Sequence, residues 1–313
     1  MQDWWKATFP KGRQTLTITD ANGHRVSIAY GEKGTGLPLF LVHGIGCWSY
    51  NWRHSIESLA PYFRVICFDA KGYGFSEKPL YREKHDHQII ELERIISALC
   101  DRPAVVVAES LGALVSLAVA QAYPQLLSRL VVVNVPIFPE RLPHWGMLLL
   151  SQIPLELIQT IDYARLTYLL APLVREIMGI ERRGVLFDAS MLTQSDLDWI
   201  SYPLIEFPGA VAKVAEDLQI AAREIEHLKE NKPNLISKVQ NNLGAIKCPT
   251  LILWGEQDSW YPPSDGEKLL ERIPDSKLKI LPNCGHDASS GCPDAVNAAI
   301  LEFLHDTDFQ EYR

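Results

Sequence analysis

Ser110 stands where a run of valines gives way to a helical pattern. The valines occupy 105–107, and the small residues Ala108 and Gly112 lie two positions to either side of the serine. A strand that turns sharply into a helix strains its corner residue and leaves room only for small neighbours at those positions. Such a turn aims the hydroxyl at the helix N-terminus, whose free amides stabilise developing negative charge. The pattern predicts that Ser110 is a nucleophile.

A serine hydroxyl needs a neighbouring base, and a third group must hold that base in one tautomer. Asp258 follows the apolar run Thr250–Trp254, and His286 follows the run Lys277–Leu281. Parallel sheets collect functional groups at the carboxyl ends of their strands. We expect Asp258 to be the acid and His286 the base.

Other residues compete for the role of the acid. Glu256 lies close to Asp258 in the chain, and Asp265 falls in the first turn of a predicted helix. Asn134, at the end of an earlier strand, has an amide that cannot carry the charge. These comparisons favour Asp258.

Strands and helices alternate along most of the chain. An antiparallel hairpin is expected over Gln14–Thr19 and His24–Tyr30. Unbroken apolar runs of the kind found in strands buried on both faces follow, with helical patterns between them. These runs are 37–42, 64–68, 104–108, 130–134, 250–254 and 277–281. The pattern predicts an α/β fold with a mostly parallel twisted sheet of about eight strands and helices on both faces.

The alternation fails once, after the sixth predicted strand. There the sequence carries only helical periodicity, interrupted by prolines, and we expect a helical lid inserted into the fold. Its predicted helices cover Met147–Gly179, Thr193–Ile200 and Gly209–Lys229. We predict an α/β core at 1–136 and 236–313 and a lid at 137–235. The apolar stretch from Trp145 to Ile158 could line an alkyl pocket or pack the lid onto the core, and both interpretations stay open.

The order of serine, acid and histidine, the sharp turn at the serine and the interrupted α/β pattern resemble the α/β-hydrolase superfamily, in its serine-nucleophile branch with a lid. Two further stretches carry the resemblance: Val42-His43-Gly44-Ile45-Gly46 after the third strand, and Asp69-Ala70-Lys71-Gly72-Tyr73-Gly74-Phe75-Ser76 after the fourth. The resemblance implies that the amides of Ile45 and Leu111 form an oxyanion hole. The residues that we expect at the substrate are Gly44, Glu109, Trp145 and Trp260.

Three positions depart from the family pattern. Ala108 replaces a common glycine and is small enough for the turn. Lys71 stands where arginine is usual, which puts a structural bridge in doubt. Asp287 follows His286 in place of an apolar residue, and we expect its side chain to point outward, away from the base.

The resemblance implies a serine hydrolase that cleaves a carboxylic ester, or a similar acyl compound with an apolar part, without metal or organic cofactor. Epoxide hydrolysis, which runs through an aspartyl ester in this superfamily, is disfavoured by the serine. Relatives that cleave carbon-carbon bonds often have asparagine before the serine and an aromatic residue after the histidine, where this chain has Glu109 and Asp287. Such a hydrolase, or a slow-turnover ligand receptor on the same scaffold, remains an alternative.

The partner that the resemblance implies is a small-molecule substrate, and composition argues against other kinds of partner. The net charge is −8, and the absence of a lysine or arginine run argues against nucleic acid as a partner. Residues 147–153 form the longest strongly apolar stretch, too short to span a membrane. The sequence leaves open whether the chain is a monomer or a homodimer.

The first residues and the cysteines favour a cytoplasmic protein. Residues 1–6 contain no apolar core of signal-peptide length, and the six cysteines are expected to be reduced. Cys284 and Cys292 could pair on oxidation, but packing as thiols is favoured. His85-Asp86-His87 offers metal-ligand residue types within a charged stretch, which favours a solvated loop over a metal site.

Overall fold

Eight strands form one sheet in a computed structural model that describes residues 3–306. Their spatial order is β1-β2-β4-β3-β5-β6-β7-β8. The strands are β1 (Gln14–Thr19), β2 (Arg25–Lys33), β3 (Pro38–Val42), β4 (Arg64–Phe68), β5 (Ala104–Glu109), β6 (Leu127–Val133), β7 (Thr250–Gly255) and β8 (Ser276–Leu281).

Most neighbouring strands of the sheet run parallel. The exceptions are the β1–β2 hairpin and the antiparallel pair of β2 with β4. From β4 across to β8 each pair is parallel, so the carboxyl ends of β3, β5, β6, β7 and β8 share one edge. This confirms the predicted sheet and places the segments that follow those strands side by side.

Alternate residues of the central strands face opposite sides of the sheet, and both sides are buried. On β3, Phe40 packs in one apolar cluster while Leu39 and Leu41 pack in the other. On β5, Val106 and Val107 divide in the same way. This two-sided burial explains why these strands appear in the sequence as unbroken apolar runs.

Helices cover both faces. Those outside the region between β6 and β7 are α1 (Trp4–Thr8), α2 (Arg53–Leu59), α3 (His87–Leu99), α4 (Leu111–Ala122), α12 (Ser264–Leu270), α13 (Ala288–Gly291) and α14 (Pro293–Asp306). Sequence reasoning missed α1. Its Trp4 and Trp5 are buried against Trp48, with ring centroids 5.3 and 6.2 Å away respectively.

The chain between β6 and β7 forms a helical insertion. Its helices are α5 (Trp145–Gln152), α6 (Leu155–Tyr163), α7 (Leu166–Leu169), α8 (Ala171–Val185), α9 (Gln194–Glu206), α10 (Ala210–Lys229) and α11 (Leu235–Asn241). The stretch Met147–Gly179, expected to be helical, is divided among four helices, α5 to α8. Pro154 and Pro172 stand at the starts of α6 and α8, where proline's missing N–H costs no bond, and Arg165 adopts a φ of 58°.

The edges of the insertion stay a prediction. The proposed core ranges reach residues 1–2 and 307–313, which lie outside the described part of the chain. Near the other boundary, Leu235 and Ile236 of α11 pack into the apolar cluster of the sheet. Within residues 3–306, no helix is both long and apolar enough to cross a membrane.

Candidate active site

The turn between β5 and α4 holds Ser110 in the geometry that its sequence predicts. The backbone of Ser110 has φ 54° and ψ −125°, a strained combination for any residue other than glycine. A Cβ placed on Gly112 would come within 2.5 Å of the His43 carbonyl oxygen. Only glycine therefore lets α4 start this close to the end of β3.

A chain of hydrogen bonds joins Ser110, His286 and Asp258. The serine Oγ lies 3.1 Å from Nε2 of His286, and Nδ1 of the same ring lies 2.9 Å from Oδ2 of Asp258. The other carboxylate oxygen of Asp258 accepts the backbone N–H groups of Trp260 and Tyr261 at 2.8 and 3.1 Å. The acid is thus fixed by its own loop, and the ring is held between the acid and the serine.

The competing acids lie elsewhere. Glu256 is exposed and accepts a hydrogen bond from the side chain of Gln257. Asp265 pairs with Lys268 at 2.8 Å inside the first turn of α12. The structure brings neither one to His286, so Asp258 is the carboxylate in contact with the ring.

Asn134, which has the wrong chemistry for the acid, positions the two segments that carry Asp258 and His286. Its Nδ2 donates to the carbonyls of Gly285 and His286 at 3.1 and 2.7 Å, and its Oδ1 accepts the Gly255 N–H at 2.8 Å. Asn134 itself adopts a φ of 47° at the end of β6. Sequence reasoning found this position but missed its role as a bridge between strand ends.

Ile45 and Leu111 lie beside Ser110 in the wall of one cavity. Leu111 is the first residue of α4, so its N–H has no acceptor within the helix. Gly44 is packed against the serine, because a Cβ there would lie 3.0 Å from the Cβ of Ser110. This approach of the β3 loop to the serine is what an oxyanion hole requires.

The cavity is open to solvent and, together with the solvent at its mouth, spans about 890 Å³; apolar side chains dominate its wall. They come from α4, from the loop after β6, from α5, α10 and α11, and from the loop after β7. These residues are Leu114, Val115, Leu142, Met147, Leu218, Ile220, Ala221, Ile225, Leu235, Ile236, Trp260 and Tyr261. Lys84, His85, Gln88, Asp217 and Glu224 add a polar part. The site can therefore hold a molecule that is mostly apolar next to the serine hydroxyl.

The four residues expected at the substrate have different places. Trp260 lines the cavity, and its ring lies 4.5 Å from the imidazole of His286. Gly44 touches Ser110 as described. Trp145 does not line this cavity: its side chain is 73% exposed on the outside of α5. Glu109 does not line the cavity either: it is buried and accepts the Ser289 N–H at 3.1 Å.

Asp287 points inward, contrary to the expected outward orientation. It is buried, and its Oδ2 lies 3.2 Å from the guanidinium of Arg182 on α8. Its other oxygen is 3.4 Å from Nδ2 of Asn51, which also donates to Glu109 at 2.8 Å. The outward expectation is wrong because a cation from the insertion, which shows no motif in the sequence, stabilises the carboxylate inside.

Burial and the nearby Asp287 carboxylate raise the pKa of Glu109 to about 7. Glu109, which precedes Ser110, and Asp287, which follows His286, thus form a pair of buried acids next to the candidate site. Each residue is next to a predicted functional residue in the chain, but only the folded arrangement places them in one cluster.

A second charged cluster surrounds Lys71. Carboxylate oxygens of Asp20, Glu83 and Glu91 converge within 4.8 Å of one another, and the Lys71 ammonium lies among them, 2.9 Å from Asp20 and 2.7 Å from Glu83. Lysine thus forms the bridge that its replacement of arginine had put in doubt. The ammonium supplies the positive charge that the three acids need.

His85 and His87, at the start of α3, have different surroundings. His85 lies at the cavity wall and is about half exposed. His87, expected in a solvated loop, is buried with Nδ1 3.0 Å from Glu83. His43, by contrast, is a structural residue whose Nε2 accepts the Ala70 N–H at 3.0 Å.

Cys284 and Cys292 are joined by a disulfide, which corrects the expectation that both pack as thiols. The short helix α13 turns the chain back after His286, so that the two Cα atoms lie 5.7 Å apart, within the usual range for a disulfide. Cys47, Cys67, Cys100 and Cys248 are free.

Comparison with known proteins agrees with this fold. A family model described as the alpha/beta hydrolase fold matches residues 38–290. Epoxide hydrolase 4 of Mus musculus is 29% identical over 293 residues, covering 88% of this chain and 75% of the relative. The 2-hydroxy-6-oxo-6-phenylhexa-2,4-dienoate hydrolase of Burkholderia cepacia is 27% identical over 300 residues, covering 92% of this chain and 95% of the relative.

Solved structures show the same architecture. An alpha/beta hydrolase fold protein from Burkholderia ambifaria matches with a TM-score of 0.72 at 25% identity, over 93% of this chain and 99% of that one. A thermophilic esterase from Thermogutta terrifontis shares the fold with a TM-score of 0.69 at 24% identity, over 94% of this chain and 98% of that one. The chain belongs to the α/β-hydrolase family. It is a hydrolytic enzyme, as its named relatives are.

Proposed function

We propose that this enzyme is a serine esterase whose catalytic triad is Ser110, His286 and Asp258. The observation that carries the proposal is the hydrogen-bonded chain from Asp258 through His286 to Ser110, ending at an apolar cavity. A base 3.1 Å from the serine Oγ can take its proton as the oxygen attacks a carbonyl carbon. The fixed carboxylate stabilises the imidazolium that forms.

The reaction then proceeds through an acyl-enzyme. Ser110 Oγ bonds to the carbonyl carbon, and the backbone amides of Ile45 and Leu111 hold the resulting oxyanion. His286 returns its proton to the departing alcohol as the carbon-oxygen bond breaks. Water then attacks the acyl-serine, again losing a proton to His286, and the acid leaves as the proton returns to the Ser110 oxygen. The protein groups that each step uses already lie at the site.

The cavity wall supports an ester with a substantial apolar part. In this proposal the helical insertion acts as a lid, because Met147 of α5 and several residues of α10 contribute to the wall. An alkyl or aryl group in contact with Leu114, Ile225 and Trp260 would gain about 25 cal/mol for each Å² of apolar surface removed from water. Its carbonyl would then lie at Ser110.

Hydrolysis of a carbon-carbon bond is a second candidate, favoured by the relatives. Several of them are named as hydrolases of 2-hydroxy-6-oxo dienoates, including one from Comamonas testosteroni that is 26% identical over 302 residues. The flanking residues Glu109 and Asp287 argue against it, since both are acids turned into a buried cluster away from the cavity. Epoxide hydrolysis has less support, because Ser110 stands where that chemistry needs an aspartate.

Steady-state kinetics on p-nitrophenyl esters from acetate to laurate test the proposal. We expect many turnovers per enzyme and a kcat/KM that rises with acyl length until the cavity is filled. The second arm uses 2-hydroxy-6-oxo-6-phenylhexa-2,4-dienoate, followed by the loss of its visible absorbance. Turnover of the dienoate without turnover of any ester would replace the esterase proposal with the second candidate.

A further inference from the structure

Arg182 links the helical insertion to two loops of the candidate active site. It lies near the end of α8, and its side chain is only 11% exposed. The end of the same helix touches the histidine turn through its backbone, since the Asp287 N–H donates to the Val185 carbonyl at 3.3 Å. The guanidinium therefore reaches the site from a segment whose backbone is already anchored there.

The guanidinium contacts both sides of the site at once. Its Nη2 donates to the Gly46 carbonyl at 3.2 Å and lies 3.0 Å from the Cys47 Sγ. Its Nη1 donates to Asp287 Oδ2 at 3.2 Å. Gly46 follows Ile45 of the candidate oxyanion hole, and Asp287 follows His286. One rigid planar group thus fixes the distance between these two loops.

Arg182 also brings a positive charge to Asp287, the residue that follows His286. The acids near the ring are Asp258, which bonds to it, and the buried pair Asp287 and Glu109. Burial raises the pKa of the Cys47 thiol, which therefore stays neutral. Other charges nearby have their own partners: Arg53 pairs with Asp196 at 2.8 Å and also donates to Ser290, and Glu181 of α8 lies 2.7 Å from His144.

We propose that Arg182 is a positioning residue, which holds the Ile45 loop against the His286 turn and offsets the buried charge of Asp287. The proposal rests on the esterase mechanism above. It assigns to the insertion a part in the chemistry in addition to its part in the cavity wall.

The variant Arg182→Met removes the positive charge and the guanidinium hydrogen bonds while keeping an unbranched apolar side chain. We expect kcat for a short p-nitrophenyl ester to fall by about 10- to 100-fold with little change in KM, because the oxyanion contact forms only in the transition state. The acidic limb of the pH profile of kcat/KM should move up by about one pH unit, since unopposed acids favour a protonated ring. Arg183→Met, which changes the exposed neighbour on the same helix, should leave both quantities unchanged.

Two further variants separate positioning from mere stability. Arg182→Lys keeps the positive charge but loses the planar group that donates to both loops. The acidic limb of the kcat/KM profile should therefore return to its wild-type position, while kcat recovers only in part. The double variant Arg182→Met with Asp287→Asn also removes the buried acid that Arg182→Met leaves unpaired. We expect the acidic limb of its kcat/KM profile to return to the wild-type position, and we expect the double variant to fold more readily than Arg182→Met alone. Circular dichroism confirms that each variant is folded.

A folded Arg182→Met enzyme with the wild-type pH profile and wild-type kcat would overturn the inference. A loss of kcat that Arg182→Lys does not relieve, with the acidic limb unmoved in every variant, would also overturn it, because it would show a structural role alone. Failure of the wild-type enzyme to turn over any ester is a different result, which contradicts the proposed function.

Discussion

The sheet and the helical insertion place their large apolar side chains differently. Every residue of β3 and β5 is buried. On α5 to α8 and the turn that follows, many large apolar side chains are exposed: Trp145, Leu148, Leu149, Leu157, Ile161, Tyr163, Leu166, Tyr168, Leu169, Leu170, Leu173, Ile177, Ile180, Phe187 and Met191. Burial on both faces makes the sheet a rigid frame for the Ser110, Asp258 and His286 loops. We expect the outer face of the insertion to add little to stability, while its inner face shapes the cavity.

The largest effect that we predict tests whether the residues at the strand ends of the sheet carry out catalysis. Asp258→Asn keeps the size of the side chain but removes the charge that holds His286, and its amide favours the wrong tautomer of the ring. We expect kcat on an ester to fall by about 10⁴-fold with little change in KM. Stopped-flow and steady-state assays at neutral pH measure this loss.

Asp265→Asn is the matched control. Asp265 is buried on the loop and helix that follow the same strand, but it pairs with Lys268 instead of His286. We expect its kcat to stay within about threefold of the wild-type value, since it makes no transition-state contact. Equal losses from both substitutions would contradict the assignment of Asp258.

A pair of tryptophan substitutions tests the difference in stability between the two regions. Trp5 is 1% exposed in one of the two apolar clusters of the sheet, whereas Trp145 is 73% exposed on the insertion. Trp5→Ala should lower the free energy of unfolding by about 3–5 kcal/mol, because it leaves a large cavity. Trp145→Ala should change it by less than about 0.5 kcal/mol. Urea denaturation gives both values, and similar losses would mean that the outer face of the insertion is covered in solution.

The smallest effect concerns the cluster where the two regions meet. Because burial raises the pKa of Glu109 from 4.5 to about 7, the unfolded chain loses this proton at lower pH than the folded chain does. The contribution of Glu109 to stability is therefore full below about pH 4 and is lost as pH rises through about 7.

Comparison with Glu109→Gln isolates this contribution. The stability of the wild-type enzyme relative to that of Glu109→Gln should fall by about 1–3 kcal/mol between pH 4 and pH 8. Urea denaturation of both proteins across this range measures it, and the difference cancels other groups such as Glu91, whose pKa burial also raises to about 7. A difference that is constant with pH would show that folding leaves the pKa of Glu109 unchanged.

The two regions also differ in how much of each the sequence predicts. Ser110, Asp258 and His286 could be found because each lies at the end of a strand that is visible as an apolar run, and because Gly112 marks a close approach of two backbones. These signals are local. The parallel order of β5, β6, β7 and β8 then brings the three residues together.

Contacts between distant segments left no such signal. Arg182 has no motif around it, so the inward orientation of Asp287 could not be predicted from the turn that carries it. Trp145 was expected at the substrate because it is apolar, but helical periodicity alone does not tell which face of α5 meets the cavity. The disulfide of Cys284 with Cys292 likewise depends on how α13 turns the chain.

Covalent labelling tests most directly the claim that Ser110 is the nucleophile. A fluorophosphonate reacts with an activated serine and leaves a stable adduct, which peptide mass spectrometry assigns to one residue. We predict one adduct per chain on Ser110, rapid in the wild-type enzyme and absent in Ser110→Ala, which should be folded and inactive. Labelling of a different residue, or ester turnover by Ser110→Ala, would contradict the account.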